Sequence, residues 1–236
     1  MSLPIAILAG GLATRMHPVT ERIPKALLDV HGKPFMVRQL ECLRRHGVTQ
    51  VVACVGHLGE MIYETIGDGN AFGVEVRYSF DGERLRGTGG ALYNALPMLG
   101  ARFFVLYGDS YLDCDYSQVE EAFLVCDKLG LMTLFRNENK WDKSNVLFRD
   151  GIIKRYDKKS PTQDMKYIDY GLGVLSAEAF EAFREQSVLD LSAIYMHLIS
   201  QNSMAGLEMQ QRFYEIGSPS GLEATRRYFT QMEVDE

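Results

Sequence analysis

The stretch Ile5-Ala6-Ile7-Leu8-Ala9-Gly10-Gly11-Leu12-Ala13-Thr14-Arg15-Met16, followed by Ile23-Pro24-Lys25, decides the reading of this chain. Ile5–Leu8 is a short apolar run and reads as a buried first strand. It runs into a loop of small residues. Such a loop exposes backbone N–H groups, and its glycines let the backbone come close to a phosphate. Arg15 adds a planar fork for phosphate oxygens, and Lys25 adds a second cation. The combination points to a nucleoside triphosphate site at the end of the first strand. The loop is not a P-loop, because no Lys-Ser or Lys-Thr follows the glycines. It is not the G-x-G-x-x-G dinucleotide fingerprint either. Alone, a Gly-Gly pair is ordinary turn punctuation, so the assignment depends on the rest of the chain.

Strands and helices alternate outward from this stretch. The pattern predicts a helix over Pro34–His46, with Pro at its first turn and Gly47 after its end. It predicts strands at Gln50–Val55, Val74–Tyr78 and Phe103–Tyr107, and helices at Leu58–Ile66 and Gly90–Leu96. This alternation implies a mostly parallel sheet with right-handed crossovers. After Asp109 the texture changes. A helix is expected over Ser117–Asp127, with Ser117 and Glu120 as a capping box. Strand candidates follow at Leu131–Phe135, Val146–Phe148, Ile152–Tyr156 and Lys166–Leu175, with a hairpin turn at Asp150-Gly151. Helices are expected over Ala177–Arg184 and Asp190–Gln201, and Ser218 is expected to cap a last helix beginning at Pro219.

The 236 residues fit a single domain, 1–236. Residues 1–116 are expected to form its nucleotide-binding half and 117–236 a second half. A net charge of −6 argues against bulk nucleic-acid binding while leaving room for a local cationic pocket. No apolar run reaches the length of a membrane span, and the early first strand leaves no room for a signal peptide. Cys42, Cys54, Cys114 and Cys126 form no C-x-x-C pair and read as small apolar residues in a reducing cytoplasm. The histidines show no metal spacing. Gly108-Asp109 follows the apolar strand Phe103–Tyr107, where ligands of open α/β sheets bind. A carboxylate there can hold Mg²⁺ against a triphosphate.

The segment LAGGLATRMHPVTERIPKALLDVHGKPF, residues 8–35, resembles the signature of the sugar-1-phosphate nucleotidylyltransferases, roughly LAGGxGTRLxPLTxxxPKPLxxxxGKP. Ala13 and Ala26 replace a family Gly and Pro. Ala13 should be tolerated if its φ is negative, and Ala26 leaves Lys25 in place. The resemblance implies a Rossmann-like, doubly wound, mostly parallel α/β fold whose mixed sheet has helices on both faces and a small sugar-binding β extension, with 117–236 as the sugar-phosphate-binding half. It implies transfer of a nucleotide from a nucleoside triphosphate to a sugar 1-phosphate, giving an NDP-sugar and pyrophosphate. The look of LAGGLATR with GTGGA leans toward the heptose- or mannose-1-phosphate guanylyltransferase branch.

The resemblance also assigns residues. Leu8, Ala9, Gly10, Gly11 and Thr14 would bind the nucleotide, as would Thr88, Gly89 and Gly90 in a loop similar to the family's L-G-T-[GA]-G-[AS]. Arg15, Lys25 and Asp109 would be catalytic, with Asp109 in the family's metal-binding GD motif. Phe213–Pro219 resembles W-x-D-[IV]-G-[ST]-P, with Glu215 where the family has a second metal-binding Asp. Its ligation of Mg²⁺ is either direct or indirect. Tyr156-Asp157-Lys158-Lys159 resembles the E-K-P element, which makes Lys158 the sugar-phosphate ligand, with a one-residue ambiguity toward Lys159. Tyr170–Val174 resembles N-[AG]-G-[IV]-Y and brings Gly173 near the sugar, without the family's Asn. The implied partners are the two small substrates, with no nucleic acid and no membrane, and a homo-oligomer is compatible with them. Two alternatives remain on the sequence. One is a phosphocholine-type cytidylyltransferase, which shares the loop signature. The other is a catalytically silent regulatory subunit, disfavoured by the retention of Arg15, Lys25 and Asp109.

Overall fold

The computed structural model describes residues 2–235. In chain order the first half contains β1 (Ile5–Leu8), β2 (Asp29–Val30), β3 (Lys33–Pro34), α1 (Phe35–Arg45), β4 (Gln50–Val55), α2 (Gly59–Ile66), β5 (Glu75–Phe80), α3 (Gly87–Leu99) and β6 (Arg102–Tyr107). The second half adds β7 (Ser110–Tyr111), α4 (Tyr116–Cys126), β8 (Gly130–Arg136), β9 (Val146–Arg149), β10 (Ile152–Tyr156), β11 (Tyr167–Ser176), α5 (Leu191–Ser200), β12 (Met204–Met209), β13 (Tyr214–Glu215) and α6 (Pro219–Asp235).

β1 shows how sequence sets the layers. Its side chains alternate, so Ile5 and Ile7 enter one core while Ala6 enters the other. The first core is closed by Met36, Leu40 and Leu43 of α1, Ile62 of α2 and Val119 of α4. The second is closed by Leu92 and Ala95 of α3 and Ile194 and Leu198 of α5. Helices therefore cover both faces of the sheet. The sheet runs β10-β9-β11-β6-β1-β4-β5, with β8 also on β11 and β12 beyond β8. β6, β1, β4 and β5 are parallel. β11 lies antiparallel to β6, β8 and β9, which adds the β extension to the parallel core. The loops leaving β1, β4, β5 and β6 all emerge at one edge, where ligands of such sheets bind.

Several expectations shift. α3 begins at Gly87, earlier than Gly90, and passes through Pro97 to Leu99. Ala177–Phe183 winds as a 3-10 helix. β12 has no signature of its own, because MAGLEM lacks alternation. It forms by pairing in parallel with β8, Met204 opposite Gly130 through Met209 opposite Phe135. Ala13 sits at φ 49 and ψ 40, so the condition of a negative φ is not met and it takes the left-handed conformation that its glycine counterpart reaches without a Cβ penalty. The Asp150-Gly151 turn forms as expected, with both residues at positive φ.

The capping box at Ser117 does not form. Asp115 is the N-cap of α4 and accepts from Gln118 N at 3.1 Å, while Glu120 accepts from Ser2 Oγ at 3.2 Å. Asp115→Ala should therefore lower stability by about 1 kcal/mol in chemical denaturation. Ser117→Ala, an exposed change outside the cap, should stay within about 0.5 kcal/mol. The reverse ranking would restore the capping box.

Candidate active site

A cavity of about 320 Å³ opens at the loop edge of β1 and β6. Leu8, Ala9, Gly10 and Gly11 line it from the end of β1, and Tyr107, Gly108 and Asp109 from the end of β6. Lys25 reaches it from a 3-10 turn that starts at Lys25 itself. Leu85, Gly87, Thr88 and Ala91 line it from the entry to α3, joined by Cys54, Asp81 and Lys158.

Charge is concentrated at the end of β6. Lys25 Nζ donates to Asp109 Oδ2 at 2.7 Å. Just beyond, β7 pairs antiparallel with β13, and Ile216 N donates to Asp109 O at 2.9 Å. This short ladder carries Glu215 to Asp109 across the chain. Asp109 Oδ2 and Glu215 Oε2 each lie 2.9 Å from the point where a Cβ on Gly217 would stand, and Arg15 Nη2 lies 3.6 Å from it. Two carboxylates and a guanidinium thus converge on space that only glycine leaves open. Two carboxylates at the rim of the cavity form the hard-oxygen donor set that suits Mg²⁺.

Glu215 is held in a specific pose. Gly217 N donates to its Oε2, and Ser218 Oγ donates to its Oε1 at 2.7 Å. Ser218 Oγ in turn accepts from Gly221 N at 3.0 Å, the cap expected for α6. The carboxylate therefore lies against the first turn of α6, where the helix dipole favours negative charge. A Cβ on Gly221 would fall 1.6 Å from Glu215 Oε1, so Gly221 makes the room that the extra methylene of Glu requires.

Lys158 projects from just beyond β10 to Tyr107. Its Nζ donates to the Tyr107 hydroxyl at 3.0 Å, lies 4.5 Å from that ring's centroid and is 3.5 Å from Asp169 Oδ2. Asp169 is buried and accepts from Tyr107 at 2.6 Å and from Tyr156 at 3.0 Å. Burial and the Asp169 charge push the Tyr107 phenol well above its ordinary range, so it stays protonated and serves as a donor.

A family model described as Nucleotidyl transferase matches residues 5–144. The chain belongs to that family. It is 29% identical over 216 residues to an N-acetylmuramate alpha-1-phosphate uridylyltransferase of Neisseria meningitidis, covering 90% of this chain and 92% of the relative. It is 28% identical over 214 residues to a D-glycero-alpha-D-manno-heptose 1-phosphate guanylyltransferase of Campylobacter jejuni, covering 90% and 94%. Its fold matches the crystal structure of HddC from Yersinia pseudotuberculosis with a TM-score of 0.79 at 23% identity, covering 96% of this chain and 99% of that one.

Within this nucleotidyl transferase the expected site residues divide. Leu8, Ala9, Gly10, Gly11, Lys25, Thr88, Asp109 and Lys158 line the cavity. Arg15 and Glu215 stand beside Asp109 around Gly217. Thr14 begins an exposed 3-10 turn and does not line the cavity, although Ala13 next to it does. Gly89 and Gly90 do not line it either. Their N–H groups donate to Leu189 O at 2.8 and 3.0 Å, because α3 starts at Gly87 and turns them toward that segment. Gly173 packs against Leu131 and Tyr195 inside the sheet; the glycine nearer the cavity is Gly171, at φ 96, against Ser110 and Tyr107. Lys159 uses its backbone N–H on Asp157 at 3.0 Å, and its side chain does not line the cavity.

The sequence reading missed Asp81 and Asp169. Asp81 had a signal, since it follows β5 at the same edge at which Asp109 follows β6. Asp169 had none, being one acidic residue inside a strand. The reading also found no metal spacing among the histidines, yet Cys42 and His46, one turn apart, meet Asp113 with ligand atoms within 4.8 Å. Arg45 already occupies Asp113 at 3.2 Å, and burial pushes the Cys42 thiol up to about 12, so the thiol stays protonated and the three side chains form a hydrogen-bond cluster with Arg45.

Gly221→Ala should cost about 1–3 kcal/mol in chemical denaturation, because the new Cβ collides with a carboxylate that is itself held by two donors. Glu215→Asp in the Gly221→Ala background should recover part of that loss. Equal costs with Glu and with Asp at 215 would show that the carboxylate does not occupy this position.

Proposed function

We propose that the protein is a Mg²⁺-dependent nucleotidylyltransferase that joins a sugar 1-phosphate to the nucleotidyl group of a nucleoside triphosphate, with release of pyrophosphate. The observation that carries this reading is the contact of Lys25 with Asp109 in a cavity whose wall is the glycine loop after β1. A sugar 1-phosphate oxygen is already anionic, so attack on the α-phosphorus requires no general base. The task is to bring two anions together and to spread the charge that moves onto the leaving pyrophosphate.

The residues divide that task. The amides of Gly10 and Gly11 cradle phosphate oxygens. Lys25 stabilises the α-phosphate as charge redistributes, and Arg15 forks onto the departing β- and γ-phosphates. Lys158, steadied by Tyr107 and Asp169, orients the acceptor phosphate. Asp109 and Glu215 would hold Mg²⁺, which when bound neutralises phosphate charge. The four cysteines are all free thiols, which supports a reducing compartment such as the cytoplasm as the place of work.

Pyrophosphate release should require both a sugar 1-phosphate and a divalent cation, and excess chelator should abolish it. Lys25→Ala should lower kcat by about a hundredfold to a thousandfold with little change in KM for the triphosphate, as for other donors that act on developing charge. A raised KM with unchanged kcat would place Lys25 in ground-state binding. Release in the absence of any acceptor would make the protein a hydrolase.

A further inference from the structure

Asp109 and Tyr107 act through their side chains, but the backbone between β6 and β7 decides where those side chains stand. Tyr107 is the last residue of β6 and Ser110 the first of β7. Two bonds hold the middle of the turn between them. Gly108 N donates to Leu8 O at 3.1 Å, and Ile216 N donates to Asp109 O at 2.9 Å. The two outer carbonyls are held from a third direction, by a side chain of α1. Gln39 Nε2 donates to Ser110 O at 2.8 Å and to Tyr107 O at 3.3 Å. One amide nitrogen spends both of its hydrogens on the residues that flank Gly108-Asp109.

Gln39 is 2% exposed, and its Oε1 is buried with no hydrogen-bond partner among the described residues. Turning the amide over would set that oxygen against two carbonyl oxygens, so the acceptors fix its orientation. A buried acceptor left unpaired costs stability, and an apolar side chain of the same length would avoid that cost. An amide kept here with only its donor side satisfied is kept for its donors. The same face of α1 extends the grip. Cys42 Sγ donates to Leu112 O at 3.5 Å, and His46 Nε2 lies 2.6 Å from Asp113 Oδ1. Positions 39, 42 and 46 share one helical stripe, so α1 follows the chain from Tyr107 to Asp113. Gln39 is the part of this stripe nearest the chemistry, and it does not itself line the cavity.

We propose that Gln39 is a positioning residue of the active site, which sets Asp109 for the metal and Tyr107 for Lys158 by clamping the turn that carries both. Through Asp109 it acts on the carboxylate pair with Glu215. Through Tyr107, whose hydroxyl accepts from Lys158 Nζ at 3.0 Å, it acts on the group that orients the acceptor phosphate. A displacement of about 1 Å in such a site costs about a hundredfold in rate, even when the altered residue is remote from the reacting atoms. This inference rests on the nucleotidyl-transfer reading above and adds to it a residue behind the cavity wall.

The test uses the full chain with two substitutions. Gln39→Met keeps the length and removes both donors. Gln39→Asn keeps the amide on a stem one methylene shorter. Mn²⁺, standing in for Mg²⁺, is titrated by electron paramagnetic resonance with the α,β-methylene analogues of GTP and of UTP in separate experiments. Pyrophosphate release is then followed over a Mg²⁺ series with a panel of sugar 1-phosphates, and melting curves are recorded for each protein. Gln39→Met should weaken Mn²⁺ binding by about tenfold to a hundredfold, as for other residues that orient metal ligands. It should raise the Mg²⁺ needed for half-maximal rate and lower kcat by similar factors, with little change in KM for the triphosphate. Gln39→Asn should retain part of both the rate and the affinity, and it carries the same comparison with the wild type if Gln39→Met does not fold. Losses that follow the melting temperatures instead of the amide would make Gln39 a packing residue and overturn the inference. Mn²⁺ affinity equal in the wild type and the folded variants would overturn it as well, with or without turnover. A wild type that releases no pyrophosphate but binds Mn²⁺ more tightly than the variants would remove the proposed reaction and keep the positioning role.

Discussion

The contact between Lys25 and Asp109 is the constraint on which the site depends. Its two halves come from opposite ends of the nucleotide-binding half and meet only because β1 and β6 are neighbours, Leu8 opposite Tyr107. Beyond that pairing the chains stay close: Gly108 N donates to Leu8 O at 3.1 Å, and a Cβ on Gly108 would stand 2.3 Å from that oxygen. A side chain at Gly108 would part the two strand ends and draw Asp109 away from the glycine loop. The β7–β13 ladder starts one residue later and fixes Glu215 and Gly217 by the same approach.

The electrostatic plan follows from that geometry. A chain with a net charge of −6 binds two anions because its cations are placed locally. Lys25, Arg15 and Lys158 come from three separate segments; Asp109 holds Lys25 and Asp169 holds Lys158, while Arg15 stands across Gly217 from Asp109 and Glu215. These pairings limit the freedom of long side chains that would otherwise lose rotamer entropy on binding phosphate. Preorganisation of this kind suits a reaction in which positioning and charge neutralisation supply most of the rate.

Much of this was legible in the sequence for identifiable reasons. β1, β4 and β6 announced themselves as apolar runs, and Asp109 by its place after one of them. The loop carried its meaning in side-chain types that phosphate chemistry demands. What stayed hidden lacks a local signal. β7 and β13 are two residues each and have no period to detect. β12 exists through its partner β8. Gly89 and Gly90 looked like ligand-cradling glycines and instead admit the backbone of Leu189, a contact made by residues about a hundred positions away. Asp81 is marked in the sequence only by its place after β5, and only the fold shows that its carboxylate is buried with one oxygen unpaired among the described residues. The pose of Glu215 depends on Gly221, a pairing that appears only once α6 is built.

The most direct measurement follows the phosphorus atoms. The full chain is incubated with Mg²⁺, a sugar 1-phosphate and a nucleoside triphosphate labelled at either the α- or the γ-phosphorus, and the products are separated. If the α-phosphate reacts between Lys25 and Asp109, the α label appears in the sugar nucleotide and the γ label in pyrophosphate, and Asp109→Asn suppresses both together. Transfer of the γ label to the acceptor, or its release as orthophosphate, would place the chemistry at a different phosphorus and contradict the account.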